Sequence, residues 1–213
     1  MIINDKITIA ISKGRILKES LNLLKKIDLE PLESINDERK LIHETNIKNI
    51  RFIIVRATDV PTYVSNGAAD LGIVGKDTIM EYPSDDYYVP LDLKISKCRL
   101  VLASLLDDRE YGNKIRVATK YPITTNDFFI KKNQQVDIIK LYGSMELAPV
   151  LGLADYIIDL VDTGETLRVN GLKEVEKICD ISAHLIVNKA SMKLKHESAW
   201  CIINSIEKIL LEK

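Results

Sequence analysis

Short apolar runs alternate with amphipathic stretches along most of the chain, and this pattern predicts strands that are followed by helices. Ile7–Ile11 and Arg51–Val55 have the composition of buried strands, and apolar residues recur at helical spacing between Ile16 and Ile27. Leu71–Val74 is a third apolar run of strand length. Strands that alternate with helices in this way favour an α/β fold built on mostly parallel sheets.

The order of these elements repeats later in the chain. Residues 7–74 and residues 115–160 both have the pattern strand, helix, strand, helix, strand. In each round the second helix ends in a Gly-x-Ala-Asp sequence, at Gly67–Asp70 and again at Gly152–Asp155. The repeat predicts two similar lobes around a cleft, although ordinary βα units also produce chance similarity of this kind.

The last part of the chain is expected to return to the first lobe. We therefore predict a discontinuous first lobe of residues 1–92 and 178–213, and a second lobe of residues 93–177. Leu167–Lys177 has a pattern compatible with a helix, and Leu194–Leu211 is predicted to be a final amphipathic helix.

Two stretches of the sequence are predicted to lack regular structure. Glu30–Ile50 is polar and irregular, and Asp107–Asn113 has the charged, glycine-containing composition of a turn.

Composition excludes several classes of protein. Thirty basic residues nearly balance 31 acidic ones, so no overall field favours a nucleic acid or an anionic membrane as partner. We find no signal peptide and no apolar run of about 20 residues, and we expect a cytoplasmic protein. The three cysteines, Cys98, Cys179 and Cys201, form no CxxC pair, so we expect buried thiols rather than a structural zinc site.

The most informative stretch is Asp159–Leu167, which follows the apolar run Tyr156–Ile158. A strand that enters a Thr-Gly-x-Thr turn offers backbone N–H groups and hydroxyls to an anion, and glycine allows the backbone to approach closely. Asp159 and Asp162 would repel a phosphate, but they suit the hydroxyls and magnesium of a sugar attached to it. The pattern is similar to the signature with which phosphoribosyltransferases hold phosphoribosyl pyrophosphate; a plain Asp-Thr-Gly turn at a strand end is the alternative.

A second candidate anion site lies near the N-terminus. Lys13 and Arg15 flank Gly14 where the first predicted strand meets the first helix, and ligand sites of parallel sheets lie beyond the carboxyl ends of the strands. A solvated basic turn would have the same sequence.

Six segments in order along nearly the whole chain resemble the short-form ATP phosphoribosyltransferase catalytic subunit, the first enzyme of histidine biosynthesis. They are Ala10–Arg15, Arg56–Val64, Gly67–Asp77, Val117–Pro122, Ile139–Pro149 and Asp159–Leu172. The resemblance implies a fold like that of type II periplasmic binding proteins. It also implies transfer of phosphoribose from phosphoribosyl pyrophosphate to adenine N1 of ATP, with release of pyrophosphate.

The resemblance assigns roles to particular positions. The residues implied to bind phosphoribosyl pyrophosphate are Glu146, Asp159, Asp162, Thr163, Gly164, Glu165 (through its backbone) and Thr166. Lys13 and Arg15 are implied to hold the pyrophosphate or the ATP phosphates, and Arg39 to join them as a mobile clamp. Many relatives have Asn where this chain has Glu165, and an added acid beside a phosphate weakens binding unless its side chain points away.

The resemblance further implies Mg²⁺ carried by the substrate phosphates, and it provides no set of metal ligands from the protein itself. Short-form subunits assemble with a regulatory subunit that resembles histidyl-tRNA synthetase, so we expect a homo-oligomer within a hetero-oligomer. Neither nucleic acid nor membrane is an expected partner.

Two other functions remain open at this point. A two-lobed ligand-binding or sensor protein would have the same fold without any chemistry, since fold alone does not determine function. A salvage phosphoribosyltransferase that uses a free base would explain the Thr-Gly-x-Thr turn but not the paired lobes. The acid pair beside that turn favours a transferase, because a plain anion receptor gains nothing from added negative charge.

Overall fold

Two units make up the chain. The computed structural model describes residues 3–35, 39–106 and 115–212. Unit 1 comprises Met1–Ser96 and Ser182–Lys213, and unit 2 comprises Lys97–Ile181. The chain passes from unit 1 to unit 2 after Ser96 and returns to unit 1 after Ile181. Each of these points lies four residues after the boundary predicted from the sequence.

Unit 1 contains a six-stranded mixed sheet in the order β2-β3-β1-β4-β11-β5. Strand β1 pairs in parallel with both β3 and β4, whereas β2, β11 and β5 are antiparallel to their neighbours. The strands are β1 Ile7–Ser12, β2 Ile42–Glu44, β3 Ile50–Val55, β4 Leu71–Gly75, β5 Tyr87–Asp92 and β11 Ala183–Asn188. The helices are α1 Arg15–Lys25, α2 Val60–Ser65, α3 Lys76–Glu81, α7 Lys189–Leu194 and α8 His196–Leu211, with a 3-10 turn at Ala57–Asp59.

Unit 2 contains a five-stranded mixed sheet in the order β10-β6-β9-β7-β8. Its central strand β9 is parallel to β7 and antiparallel to β6. The strands are β6 Cys98–Leu105, β7 Ile115–Thr119, β8 Val136–Lys140, β9 Tyr156–Val161 and β10 Leu172–Ile181. The helices are α4 Pro122–Lys131, α5 Leu147–Val150 and α6 Glu165–Val169.

The two sheets have the same strand order. The series β3-β1-β4-β11-β5 of unit 1 corresponds to β8-β7-β9-β6-β10 of unit 2, with the parallel and antiparallel pairings in the same places. The repeat seen in the sequence is therefore a repeat of topology, and it extends to an antiparallel strand beside the third strand of each round.

Apolar residues of the strands account for most of the buried core. In β1 every residue is buried, as expected for a strand of a parallel sheet that is covered on both faces. Ile9, Ile11 and Phe52 of unit 1 have almost no exposed surface, and so do Ala103 and Ile157 of unit 2. Each unit thus has its own hydrophobic cluster.

The prediction of a helix over Leu167–Lys177 is wrong. Helix α6 ends at Val169, Gly171 has a φ of 72°, and β10 begins at Leu172. The charged run from Lys173 suits the exposed side of a helix as well as that of an edge strand. Pairing with β6, which is a tertiary interaction, decides between the two conformations.

Three smaller differences concern other segments. The irregular Glu30–Ile50 stretch contains the short strand β2. The predicted last helix, Leu194–Leu211, corresponds to α8, which begins two residues later at His196 and is preceded by a separate short helix, α7. The predicted turn at Asp107–Asn113 lies outside the described residues. The three cysteines are half-buried rather than buried, and within the described chain they form no disulfide.

Within residues 3–35, 39–106 and 115–212, no helix combines the length and the apolar character that crossing a bilayer requires.

Candidate active site

The Asp162–Thr166 loop follows directly on the central strand of unit 2. Gly164 has φ 85° and ψ 1°, a left-handed conformation that is costly for a residue with a Cβ atom. Helix α6, which starts at Glu165, has only five residues, so it adds little positive potential to the loop. The donors available to an anion are therefore the N–H groups of the loop and the hydroxyls of Thr163 and Thr166.

A cavity of about 210 Å³ lies against this loop. It brings together six of the seven residues predicted to bind phosphoribosyl pyrophosphate: Glu146, Asp159, Asp162, Thr163, Gly164 and Thr166. The seventh, Glu165, is not among the residues that line the cavity. The cavity thus has carboxylates and hydroxyls around an apolar floor that includes Val101, Ile157 and Leu167.

Strand alternation explains why an acid points into this cavity. Successive residues of a strand face opposite sides of the sheet, so Ile157, Asp159 and Val161 of β9 share one face. Val101 of β6 is the register partner of Asp159 and lines the same cavity. The pleat of the strand thus places Asp159 at the cavity, between the buried side chains of Ile157 and Val161 on the same face.

Asp159 forms an ion pair with a lysine that the sequence analysis did not select. Lys120 Nζ lies 3.2 Å from Asp159 Oδ1, and the Asp159 side chain is 19% exposed. The N–H of Leu160 donates to the same carboxylate oxygen at 2.8 Å. Lys120 follows β7 immediately, and its place at the carboxyl end of a strand is the sequence signal that could have identified it. The pair sets a positive group beside the acids of the cavity.

Glu165 is paired within α6. Arg168 donates to its carboxylate through Nε at 3.0 Å and through Nη2 at 2.6 Å. These hydrogen bonds hold the pKa of Glu165 below its usual range. Because the arginine partly neutralises the acid, the negative charge next to the loop is balanced by a positive one.

Arg99 of β6 and Glu174 of β10 were also missed by the sequence analysis. Arg99 Nη1 donates to the carbonyl oxygen of Asp162 at 2.7 Å, and its Nε donates to Glu174 Oε2 at 3.0 Å. The hydrogen bonds from Arg99 hold the pKa of Glu174 below its ordinary value. No sequence signal links these residues to the loop, because they come together only through the register of β6 with β9 and β10.

The predicted cations of unit 1 lie in different surroundings. Lys13 is exposed and lines a cavity of about 730 Å³ in unit 1 together with Lys18 and Leu17. Arg15, at the first position of α1, donates from Nη2 to the Ser96 carbonyl at 3.2 Å. Arg39 is an exposed turn residue and is not among the described residues that line this cavity.

The three histidines have surroundings that are typical of structural residues. His43 is buried with Nε2 2.9 Å from the Lys40 carbonyl oxygen, and His184 Nδ1 lies 3.2 Å from the Ser182 carbonyl. The ring of His196 stacks on that of Trp200 in α8.

The carboxylates of the unit 2 cavity are oxygen ligands of the kind that a divalent metal ion such as magnesium prefers. Among the described residues, no group of three or more His, Cys, Asp or Glu side chains is placed to hold a metal. Magnesium prefers oxygen ligands and usually keeps waters and substrate phosphates in its coordination sphere. Asp159, Asp162 and Glu146 provide carboxylate oxygens at the cavity without forming such a group.

Comparison with known proteins identifies the family. The family model described as ATP phosphoribosyltransferase matches residues 56–210. An ATP phosphoribosyltransferase of Teredinibacter turnerae is 51% identical over 209 residues, which cover 98% of each chain.

Solved structures confirm the predicted fold. An ATP phosphoribosyl transferase (HisG:HisZ) complex from Thermotoga maritima matches with a TM-score of 0.83 and 31% identity, covering 97% of this chain and 100% of that one. A protein of Bacillus subtilis described as the "probable amino-acid ABC transporter extracellular-binding protein ytmK" matches with a TM-score of 0.61 at 13% identity, over 98% of this chain and 93% of that one. This match supports the fold alone. The chain belongs to the ATP phosphoribosyltransferase family.

Proposed function

We propose that the Asp162–Thr166 loop binds the 5-phosphate of phosphoribosyl pyrophosphate in the reaction of this family. Enzymes of the family join N1 of the adenine of ATP to C1 of phosphoribosyl pyrophosphate, with release of pyrophosphate, as the first step of histidine biosynthesis. The observation that carries the proposal is one cavity that contains a left-handed glycine, two threonines and three carboxylates.

The phosphate and the ribose of phosphoribosyl pyrophosphate require opposite kinds of binding group. Thr163, Gly164, Glu165 and Thr166 offer the phosphate their hydroxyls and backbone N–H groups, with Glu165 acting through its backbone. Asp159, Asp162 and Glu146 are acceptors for the ribose hydroxyls. Because the substrate joins a phosphate to a sugar, its site needs carboxylates next to groups that donate hydrogen bonds to an anion.

Departure of pyrophosphate is the demanding step, because charge develops on the leaving group while the ribose becomes oxocarbenium-like. Adenine N1 carries a lone pair and needs no strong base, which agrees with the structural surroundings of the histidines. We assign stabilisation of the leaving group and of the ATP phosphates to Lys13 and Arg15, with Arg39 as a mobile clamp. Arginine suits this role because its planar fork binds phosphate oxygens in a bidentate manner.

Magnesium is proposed to arrive on the pyrophosphate of the donor. When bound, it would supply positive charge at the oxygens on which charge develops. Asp159, Asp162 and Glu146 line the cavity, and they are the side chains that would hold a metal carried by phosphoribosyl pyrophosphate.

Assembly with a regulatory subunit is the second part of the proposal. The solved relative is a HisG:HisZ complex. We propose that this chain forms a homo-oligomer that joins a subunit resembling histidyl-tRNA synthetase, and that the assembly works in the cytoplasm. Nucleic acid and membrane are not proposed as partners.

The test is turnover with ATP, phosphoribosyl pyrophosphate and Mg²⁺, followed through the near-ultraviolet absorbance change on ribosylation of adenine N1. Pyrophosphatase is added to draw the reaction forward, and the assay is run with and without the regulatory subunit. We expect product, more of it with the partner, and loss of turnover with EDTA. Tight binding of both substrates without product in either condition would contradict the proposal.

A further inference from the structure

Arg99 contacts the Asp162–Thr166 loop from outside the cavity. It lies on β6 opposite Val161, the last residue of β9. Every second residue of β6 faces the same side of the sheet, so Arg99 and Ala103 lie on the face on which Val101 lines the cavity. Arg99 itself is not among the lining residues.

The hydrogen bond from Arg99 determines the orientation of one peptide of the loop. Its Nη1 donates to the Asp162 carbonyl oxygen at 2.7 Å. The described chain contains no cis peptide, and in a trans peptide the C=O and the following N–H point in opposite directions. With the carbonyl directed at Arg99, the N–H of Thr163 points away from the guanidinium.

Glu174 holds the arginine in this place. It accepts from Arg99 Nε at 3.0 Å and also from Nη2, so both of its oxygens are used. Each of the two side chains is 31% exposed. The guanidinium also borders the glycine of the loop, because a Cβ atom added to Gly164 would lie 3.8 Å from Arg99 Nη2 and 3.5 Å from Glu174 Oε1.

We propose that Arg99, held by Glu174, is a positioning residue for the phosphate subsite, which directs the Thr163 N–H and keeps the loop in its anion-binding conformation before substrate arrives. This role rests on the proposed function of the Asp162–Thr166 loop. A rigid, preorganised loop binds more tightly because it loses less conformational freedom on binding. The alternative is a purely structural ion pair that joins β6 to β10.

The experiment measures binding of phosphoribosyl pyrophosphate to the full-length chain by calorimetry, and KM for each substrate in the complex with the regulatory subunit. Arg99→Met keeps the aliphatic stem and removes the donors, whereas Arg99→Lys keeps the charge and a single donor nitrogen without the planar fork. Glu176→Gln is the matched control, because Glu176 lies on β10, pairs with Lys132, and faces the other side of the sheet from Arg99.

We expect Arg99→Met to raise Kd and KM for phosphoribosyl pyrophosphate about 10-fold, which corresponds to the loss of one charge-assisted hydrogen bond. KM for ATP should stay unchanged, Arg99→Lys should recover part of the loss, and Glu176→Gln should bind as the wild type does. A structural pair alone predicts no such selectivity between substrates, so equal effects on both substrates, or none, would overturn the proposal.

Two further variants keep the outcome decisive. If Arg99→Met does not fold, Glu174→Gln replaces it: weaker binding of phosphoribosyl pyrophosphate supports positioning, and wild-type binding overturns it. Thr166→Ala separates the two levels of inference. If the wild type binds phosphoribosyl pyrophosphate and Thr166→Ala weakens binding while the Arg99 variants do not, only the positioning role fails. If the wild type does not bind this substrate, the proposed function itself fails.

Discussion

Asp70 and Asp155 make the same hydrogen bonds in the two units. Asp70 accepts from the N–H of Thr8 at 2.8 Å, and Asp155 accepts from the N–H of Arg116 at 2.8 Å. In return, the N–H groups of Asp70 and Asp155 donate to the carbonyls of Thr8 and Arg116. Asp70 therefore ties β1 to the start of β4, and Asp155 ties β7 to the start of β9.

The other hydrogen-bond partners of the two aspartates differ, so replacing each aspartate should lower the free energy of unfolding by a different amount. Asp70 is buried and also accepts from Ser191 Oγ and Lys195 Nζ, both at 2.7 Å. We expect Asp70→Asn to lower the free energy of unfolding by about 2–4 kcal/mol, because an amide in place of the carboxylate leaves buried donors unmatched. Asp155→Asn should cost less, since its partner Arg116 is 43% exposed. Urea unfolding of both variants measures this, and the reverse order would contradict it.

Asp155 should also contribute to the acid sensitivity of unit 2. Burial opposes its ionisation, but hydrogen bonds from the Arg116 side chain and backbone outweigh burial and lower the pKa of Asp155. A lowered folded-state pKa stabilises the fold above the unfolded-state value of about 4, and this stabilisation is lost as the pH falls further. The stability difference between the wild type and Asp155→Asn should be full at pH 6 and shrink below about pH 4. A constant difference from pH 7 to pH 3 would exclude this contribution.

Substitution of Gly164 should separate backbone strain from binding. Gly164→Ala places a Cβ at φ 85° without a close contact, so strain of about 1–2 kcal/mol is the expected effect on unfolding. Gly152→Ala is the matched control, because Gly152 has φ 72° in the same unit, lies outside the cavity lining, and has open space around it. Calorimetry should show weaker binding of phosphoribosyl pyrophosphate for Gly164→Ala alone. Equal binding by both variants would argue against the loop as the phosphate site.

The Glu165–Arg168 pair should balance charge at the loop. Arg168→Met should weaken binding of phosphoribosyl pyrophosphate at low ionic strength, because the Glu165 carboxylate then lies beside the phosphate without its partner. Glu165→Gln should strengthen binding slightly, and the double variant should lie near the wild type. These differences should fade at high salt, since both side chains are largely exposed. An Arg168→Met effect that persists at high salt would indicate direct contact with the substrate instead.

Arg15 should matter more for turnover than for folding. Arg15→Ala is expected to lower kcat by about 100-fold, the scale of removing one donor that stabilises developing negative charge. Its hydrogen bond to the Ser96 carbonyl predicts only a small change in unfolding. Lys26→Ala, an exposed residue just after α1, is the control for charge. Unchanged turnover in a folded Arg15→Ala protein would remove Arg15 from the proposed machinery.

The sequence by itself determined the α/β class, the repeat and the position of the loop. These features are local: strand-length apolar runs, helical spacing around Ile16–Ile27, and a glycine between two threonines after a strand are all properties of neighbouring residues. The acids at the cavity were found for the same reason, since Asp159 and Asp162 lie within three residues of one another.

Only the tertiary structure decided the rest. Leu172–Ile181 is a strand because β6 offers it a partner, not because its own pattern excludes a helix. Arg99 and Glu174 are 75 residues apart, and they meet because β10 pairs with β6. The loop after β9 reaches Arg99 because β9 pairs with the other edge of β6. Side-chain contacts of this range depend on which strands pair and in what register. The alternating pattern of each strand fixes the face that it buries, but it does not say which distant strand lies beside it.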